Sequence, residues 1–233
     1  MRFVNQIRYA GDERYCPVCE SSSRIFLKAG LQQREDALCP LCHSVERHRL
    51  VMLFLQRRLN FFDGIAKKFL HVAPEWCLVR PLAQASGAGY LTADLLANDV
   101  MEKMDITDIK HPNNSFDAIY CSHVLEHVPN DRQAMREFYR VLKADGWAIL
   151  NVPITVEKTF EDPTIVDPAE RLRLFGQEDH VRRYGPDYEE RLSEAGFLVT
   201  RYEPGDVVEA YEIERFGLSY GAACSLYYCK KPL

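Results

Sequence analysis

The stretch from Phe116 to Pro153 constrains the chain more than any other. It reads FDAIYCSHVLEHVP, then an amphipathic run, then DGWAILNVP. Phe116 to Cys121 is apolar and too short for a helix, which predicts a buried strand. Asn130 or Asp131 can cap a helix. Met135, Phe138, Tyr139 and Leu142 then recur at helical spacing, and Asp145-Gly146 is expected to stop that helix. Trp147 to Val152 is a second apolar run. Strand, crossover helix and strand make a right-handed βαβ unit with parallel strands. In such sheets ligands bind beyond the carboxyl ends of the strands. That places Cys121, Ser122 and His123 at a crevice, with Asn151 and Pro153 near the same edge.

The ordered pattern Phe116-Asp117-Ala118-Ile119, His123-Val124-Leu125-Glu126-His127-Val128 and Arg140-Val141-Leu142-Lys143 resembles the class I S-adenosylmethionine (SAM)-dependent methyltransferases of the small-molecule, type 11-like kind. The resemblance covers residues 67–233. It implies an α/β fold: a Rossmann-like three-layer methyltransferase sheet, mostly parallel, with an antiparallel last strand. Phe197 to Tyr202 and Cys224 to Lys230 alternate as strands and supply that closing edge.

Lys68 to Ala73 reads as the first strand of this sheet. The family ends it with an acidic residue and a glycine-rich loop; here His71 stands at the acid's place, and Ala73 and Pro74 follow instead of glycines. Glycine lets backbone approach a ligand closely, so the departure bears on cofactor binding, and Glu75 can instead offer a carboxylate to the cofactor's ammonium group. Tyr90 to Asp94 is the second strand, and Asp94 suits a vicinal ribose diol, since one carboxylate accepts from both hydroxyls; a helix cap is the plainer role. The resemblance gives Asp105 and Ile106 the adenine amino group and ring, against a loop cap as the alternative. The cofactor set expected is therefore His71, Ala73, Glu75, Asp94, Leu95, Asp105, Ile106, Ser122 and His123.

Cys16-Pro17-Val18-Cys19 and Cys39-Pro40-Leu41-Cys42 are two Cys-x-x-Cys knuckles at a spacing that suits zinc. Each presents two thiolates to one tetrahedral ion, and together they complete a closed site of Cys16, Cys19, Cys39 and Cys42. A redox dithiol pair is the runner-up. Arg24 to Leu27 suits a short hairpin strand between them, and His43 reads as a surface or supporting histidine. The run from Ser44 to Leu59 predicts an apolar helix that docks the ribbon. Its Arg47, His48, Arg49, Arg57 and Arg58 suit either phosphate contact or a solvated face. Residues 10–60 resemble the zinc-ribbon front end of some bacterial methyltransferases. The division expected is 1–60 for ribbon and docking helix and 61–233 for the methyltransferase domain.

Residues 1–68 hold 12 Lys+Arg against 7 Asp+Glu, and the remainder 17 against 27. An acidic major domain argues against a large nucleic-acid footprint there. No apolar run approaches the roughly 18 residues of a membrane span, and no signal peptide opens the chain, so a soluble cytoplasmic protein is expected, with no membrane partner. In that compartment Cys77, Cys121, Cys224 and Cys229 read as buried thiols.

Residues 154–168 form an irregular segment of the kind that covers sites. His180, in the run DHVRRYG, is the weak candidate for a catalytic base. The resemblance implies methyl transfer from SAM to a small-molecule or glycan-type acceptor. The alternatives are a non-catalytic zinc-ribbon binding module on a methyltransferase-like fold and an RNA methyltransferase whose ribbon grips RNA.

Overall fold

The structure, a computed structural model, describes residues 2–30, 33–219 and 225–233. Helix α1 (Arg2–Arg8) precedes two antiparallel hairpins, β1 (Arg14–Cys16) with β2 (Ser21–Ser23) and β3 (Leu27–Ala29) with β4 (Arg34–Leu38), and then α2 (Glu46–Arg57). The chain continues through β5 (Phe69–Val72), α3 (Trp76–Ser86), β6 (Tyr90–Asp94), β7 (Glu102–Lys103), β8 (Phe116–Ser122), α4 (Asp131–Val141) and β9 (Leu142–Asn151). Then come β10 (Phe160–Glu161), α5 (Pro168–Phe175), β11 (Arg182–Arg183), α6 (Tyr188–Glu194), β12 (Leu198–Tyr202), α7 (Pro204–Val207), α8 (Ala210–Arg215) and β13 (Leu226–Lys230).

These elements group into two units. One takes Met1–Ile65, Glu75–Ala85 and Tyr202–Leu226; the other takes Ala66–Pro74, Ser86–Arg201 and Tyr227–Leu233. The ribbon's unit thus extends past the boundary expected at residue 60 and gathers two distant segments.

The reason lies in α2. Arg49 on this helix is fully buried and donates to the carbonyls of Ala37, Ser44, Phe216 and Gly217 at 2.6–2.9 Å. Its guanidinium lies 4.2 Å from the Phe26 ring centroid. A buried charge is tolerated only when its donors are satisfied, and four carbonyls from three parts of the chain do this. Leu50 to Leu55 are all buried around it. His48 faces Glu75 and Cys77, Arg57 pairs with Glu212 at 2.7 Å, and Arg58 donates to the Asp206 carbonyl. Four of the five basic groups that suited phosphate therefore have internal partners. Arg24 to Leu27 is not a strand of its own: residues 24–26 link the two hairpins, and only Leu27 enters β3.

The second unit carries a seven-stranded sheet in the order β12-β13-β9-β8-β5-β6-β7. From β9 to β7 every pairing is parallel, and β13 runs antiparallel to β9. The antiparallel strand is inset by one position, with β12 outside it at the edge; Cys224, expected to open that strand, falls outside the described residues. Strand alternation sends Leu70, Val72, Ile119, Cys121, Ala148 and Leu150 to one face, where they pack with Met135 and Phe138 of α4 and Tyr188 and Leu192 of α6. The other face carries Phe69, His71, Tyr90, Tyr120 and Trp147 in ring contact.

Helix α4 starts as expected, with the Asn130 side chain accepting from Gln133 N at 3.2 Å. It ends four residues before Asp145-Gly146. Leu142 is already extended, and β9 pairs Phe116 with Leu142, then Ala118 with Trp147. The surplus residues form a bulge, where Asp145 takes φ +61°. Gly146 fits there because a Cβ would stand 2.9 Å from the carbonyl oxygens of Asp117 and Lys143.

Candidate functional site

A cavity of about 670 Å³ opens at the carboxyl ends of β5, β6, β7 and β8, wholly within the second unit. Its wall is built from four successive strand ends: Val72 and Ala73, Asp94 to Leu96, Met104 to Thr107, and His123 to Asn130 with gaps. Neighbouring β6 and β8 flank β5 on opposite sides, which is the point of topological reversal where doubly wound sheets bind ligands.

Asp94 receives the amides of Leu96 and Ala97 on one oxygen, Oδ1, at 2.7 Å each. Asp105 does the same with the amide and hydroxyl of Thr107 at 2.8 and 2.7 Å. Both carboxylates are thereby oriented, and each keeps Oδ2 without a hydrogen-bond partner among the described residues. Ile106 and Met104 are buried beside them, and Leu95 is exposed. The plainer roles as loop caps are real, and they leave one acceptor oxygen per residue for a ligand.

The lip is strained at two places. Ala73 has φ +47° and donates its N–H to Ala93 O at 2.8 Å; His123 has φ +56° and donates to Asn151 O at 2.8 Å. Both lie in the left-handed region that favours glycine. Ala73 thus adopts a backbone open to glycine without being one.

The other expected cofactor residues are placed elsewhere. His71 is fully buried on the opposite sheet face, Nδ1 2.8 Å from the Tyr90 hydroxyl, and Ser122 is buried just short of the wall. Alternation explains His71: Leu70 and Val72 face the core beneath the cavity, so the residue between them cannot. Glu75 lies in the first unit, Oε1 3.6 Å from His48 Nε2.

Among the wall residues outside the expected cofactor set are His127, Asn130 and Asp179. His127 follows His123 by four positions, a spacing that was visible, but its partners come from a distant segment. Its ring stands 4.5 Å from that of His180, nearly perpendicular, and its Nδ1 lies 3.1 Å from Asp179 Oδ2. His180 itself is buried; burial, then the nearby His127, lowers its pKa.

One side chain braces this wall. Arg182 donates to the carbonyls of Leu125, Val128 and Pro129 at 2.8, 2.5 and 2.8 Å. It also meets Glu161 at 2.8 Å, which Arg191 shares at the same distance while reaching Asp131 at 2.9 Å. Burial raises the Glu161 carboxyl, but hydrogen bonds from Arg191 and Arg182 prevail and bring it to about 2.

In the first unit the four knuckle cysteines converge. Cys16 Sγ stands 3.5 Å from Cys42 Sγ, and Cys19 Sγ 3.8 Å from Cys39 Sγ. A tetrahedron of thiolates about 2.3 Å from zinc has edges of about 3.8 Å, so the set fits the ion. Ser44 Oγ lies 3.1–3.2 Å from Cys16 and Cys42, and the Leu41 amide points at Cys39 Sγ from 3.5 Å. The Leu41 amide donates to Cys39 and the Ser44 hydroxyl can donate to Cys16, which favours thiolate there, while Cys42 donates to Ser44. His43 is exposed, as expected.

Residues 83–150 match the family described as a methyltransferase domain. No curated protein matches the chain. Among solved structures, a SAM-dependent methyltransferase from Archaeoglobus fulgidus is 16% identical over 78% of this chain and 93% of its own, with a TM-score of 0.51. The 1,6-didemethyltoxoflavin-N1-methyltransferase of Burkholderia thailandensis, solved with 1,6-didemethyltoxoflavin and S-adenosylhomocysteine, is 12% identical over 81% of this chain and 78% of its own, with a TM-score of 0.50. The (4+2)-cyclase SpnF is 16% identical over 79% of this chain and 81% of its own, also at 0.50.

Proposed function

From a sheet with the Rossmann-like methyltransferase fold, and a family match over its central strands, we propose that this chain is a SAM-dependent methyltransferase acting on a small-molecule or glycan-type acceptor. The observation that carries the reading is the pair of oriented carboxylates on the cavity wall. Asp94 Oδ2 would accept from the ribose diol and Asp105 Oδ2 from the adenine amino group, with Ile106 and Leu95 against the ring. The backbone of Ala73 supports cofactor binding without a glycine loop, because the conformation such a loop needs is present. SAM, when bound, supplies an electrophilic methyl group on a sulfonium. The residues around it have mainly to position donor and acceptor in line, which needs little acid–base machinery. In the first unit, Cys16, Cys19, Cys39 and Cys42 would hold a structural zinc.

SpnF shares the fold and is a cyclase by its name, so the fold alone does not compel methyl transfer. Titration of SAM by calorimetry tests the reading. The parent should bind. Asp94→Ala and Asp105→Ala should each lose about 1.5–3 kcal/mol, as expected for a charged acceptor taken from a buried donor, or roughly ten- to a hundredfold in affinity. A folded parent that gives no heat and no thermal shift at millimolar SAM would favour the binding-module reading. Equal affinity in all three proteins would keep the cofactor and discard these residues.

A further inference from the structure

Glu126, His127 and His180 each present one donor atom, and the three atoms lie within 4.8 Å of one another. We propose that they form a second metal centre, distinct from the cysteine site, for a first-row divalent cation. Two imidazoles and a carboxylate are a donor set that suits manganese, iron, cobalt or zinc, and three protein ligands leave positions open. Ligand atoms about 2.0–2.2 Å from an ion stand about 3–3.5 Å apart, so modest side-chain rotation closes the triad.

A second observation points the same way. His180 is 7% exposed, and its Nε2 finds no hydrogen-bond partner among the described residues. A buried imidazole nitrogen left without a partner is unusual, and an ion supplies one. His127 is already arranged as metal-binding histidines are. Its Nδ1 meets the Asp179 carboxylate at 3.1 Å, which orients the ring and leaves Nε2 as the ligand atom. The Arg182 brace on the carbonyls of Leu125 and Val128 fixes the turn that carries Glu126 and His127. Charged and titratable neighbours include His123, whose Nδ1 is 3.5 Å from Glu126 Oε1, together with Asp179, Tyr184 and Arg182.

Of the three ligands His127 lines the cavity, while Glu126 and His180 are buried behind it, so the ion would sit just beneath the wall. Resting on the SAM reading, this makes the acceptor a hydroxyl compound that reaches the ion past His127. Coordination releases the hydroxyl proton to water. The oxygen lone pair then forms the bond to the methyl carbon as the carbon–sulfur bond breaks, its electrons returning to a neutral thioether.

The test is manganese titration of the full chain carrying a single zinc, without SAM, followed by loss of the free-ion electron paramagnetic resonance signal. Manganese competes poorly for thiolate sites, so the ribbon is not scored. The parent should bind one manganese. His127→Ala, a part-exposed position, should bind it more weakly by at least the roughly 10–100-fold that loss of an orienting partner costs, with an unchanged melting temperature. Asp179→Asn should weaken it about tenfold. No binding by the parent at millimolar manganese, or equal affinity in His127→Ala, overturns the site. SAM calorimetry on the parent is read separately: a parent that binds SAM but takes up no manganese sinks this centre alone, and one that takes up manganese but binds no SAM keeps the centre and overturns the cofactor reading.

Discussion

At Ala73 a single Cβ sits where the backbone has turned left-handed to leave β5. That conformation costs a non-glycine residue about 1–2 kcal/mol, against about 0.5–1 kcal/mol of extra unfolded-state freedom for glycine. Ala73→Gly should therefore stabilise the fold slightly, by up to about 1.5 kcal/mol, read as a higher urea midpoint, without weakening SAM binding in calorimetry. The sequence displayed the missing glycines but not the retained φ, which depends on the Ala73 N–H reaching Ala93 O on the neighbouring strand. Asp94 was legible as the end of β6 because that strand's own residues define it, whereas Asp105 falls two residues past the short β7. His71 was misplaced because a family position was read without its strand parity, although Leu70 and Val72 on either side already fixed which face it takes. Glu126 and His127 lay in a quoted motif and went unread, since what gives them meaning is His180, brought up from a distant segment.

Among the elements, the short turn after β8 depends most on a partner. Arg182 holds three of its carbonyls and belongs to a nearly closed ion network with Glu161, Arg191 and Asp131. Arg182→Met should destabilise the protein by about 3–5 kcal/mol, the cost of breaking a buried pair and leaving charge uncompensated, read by chemical denaturation; Arg183→Ala next to it should change little. The Glu161 carboxyl titrates near 2 when folded against 4.5 for an ordinary glutamate. A depressed carboxyl contributes stability above its unfolded pKa and loses it as pH falls through the folded one. Thermal midpoints of the parent should thus decline between about pH 4.5 and 2, and Glu161→Gln should flatten that decline. The βαβ unit was legible because its apolar runs are local. Where α4 stops was not: Asp145-Gly146 serves a bulge in β9, a requirement of the pairing with β8 that α4's own residues do not carry.

For the whole molecule, elemental analysis should find one zinc per chain in protein purified without added metal, and Cys39→Ser should abolish it. Apolar residues of the ribbon's unit such as Phe216 and Leu218 are buried within that unit, where Arg49 bonds the Phe216 and Gly217 carbonyls. A fragment of residues 61–233, cut at the boundary expected after the docking helix, would strip those partners away. It should bind a hydrophobic dye and lose the sharp thermal transition of the full chain. The boundary was unreadable because a helix such as α2 shows which of its faces is apolar but not which distant segment covers it. The chain passes between the two units five times, once at the peptide joining Pro74 to Glu75, one residue past the strained Ala73. No single crossover between genes can exchange this ribbon for another: a descendant inherits ribbon and sheet together, or rebuilds both.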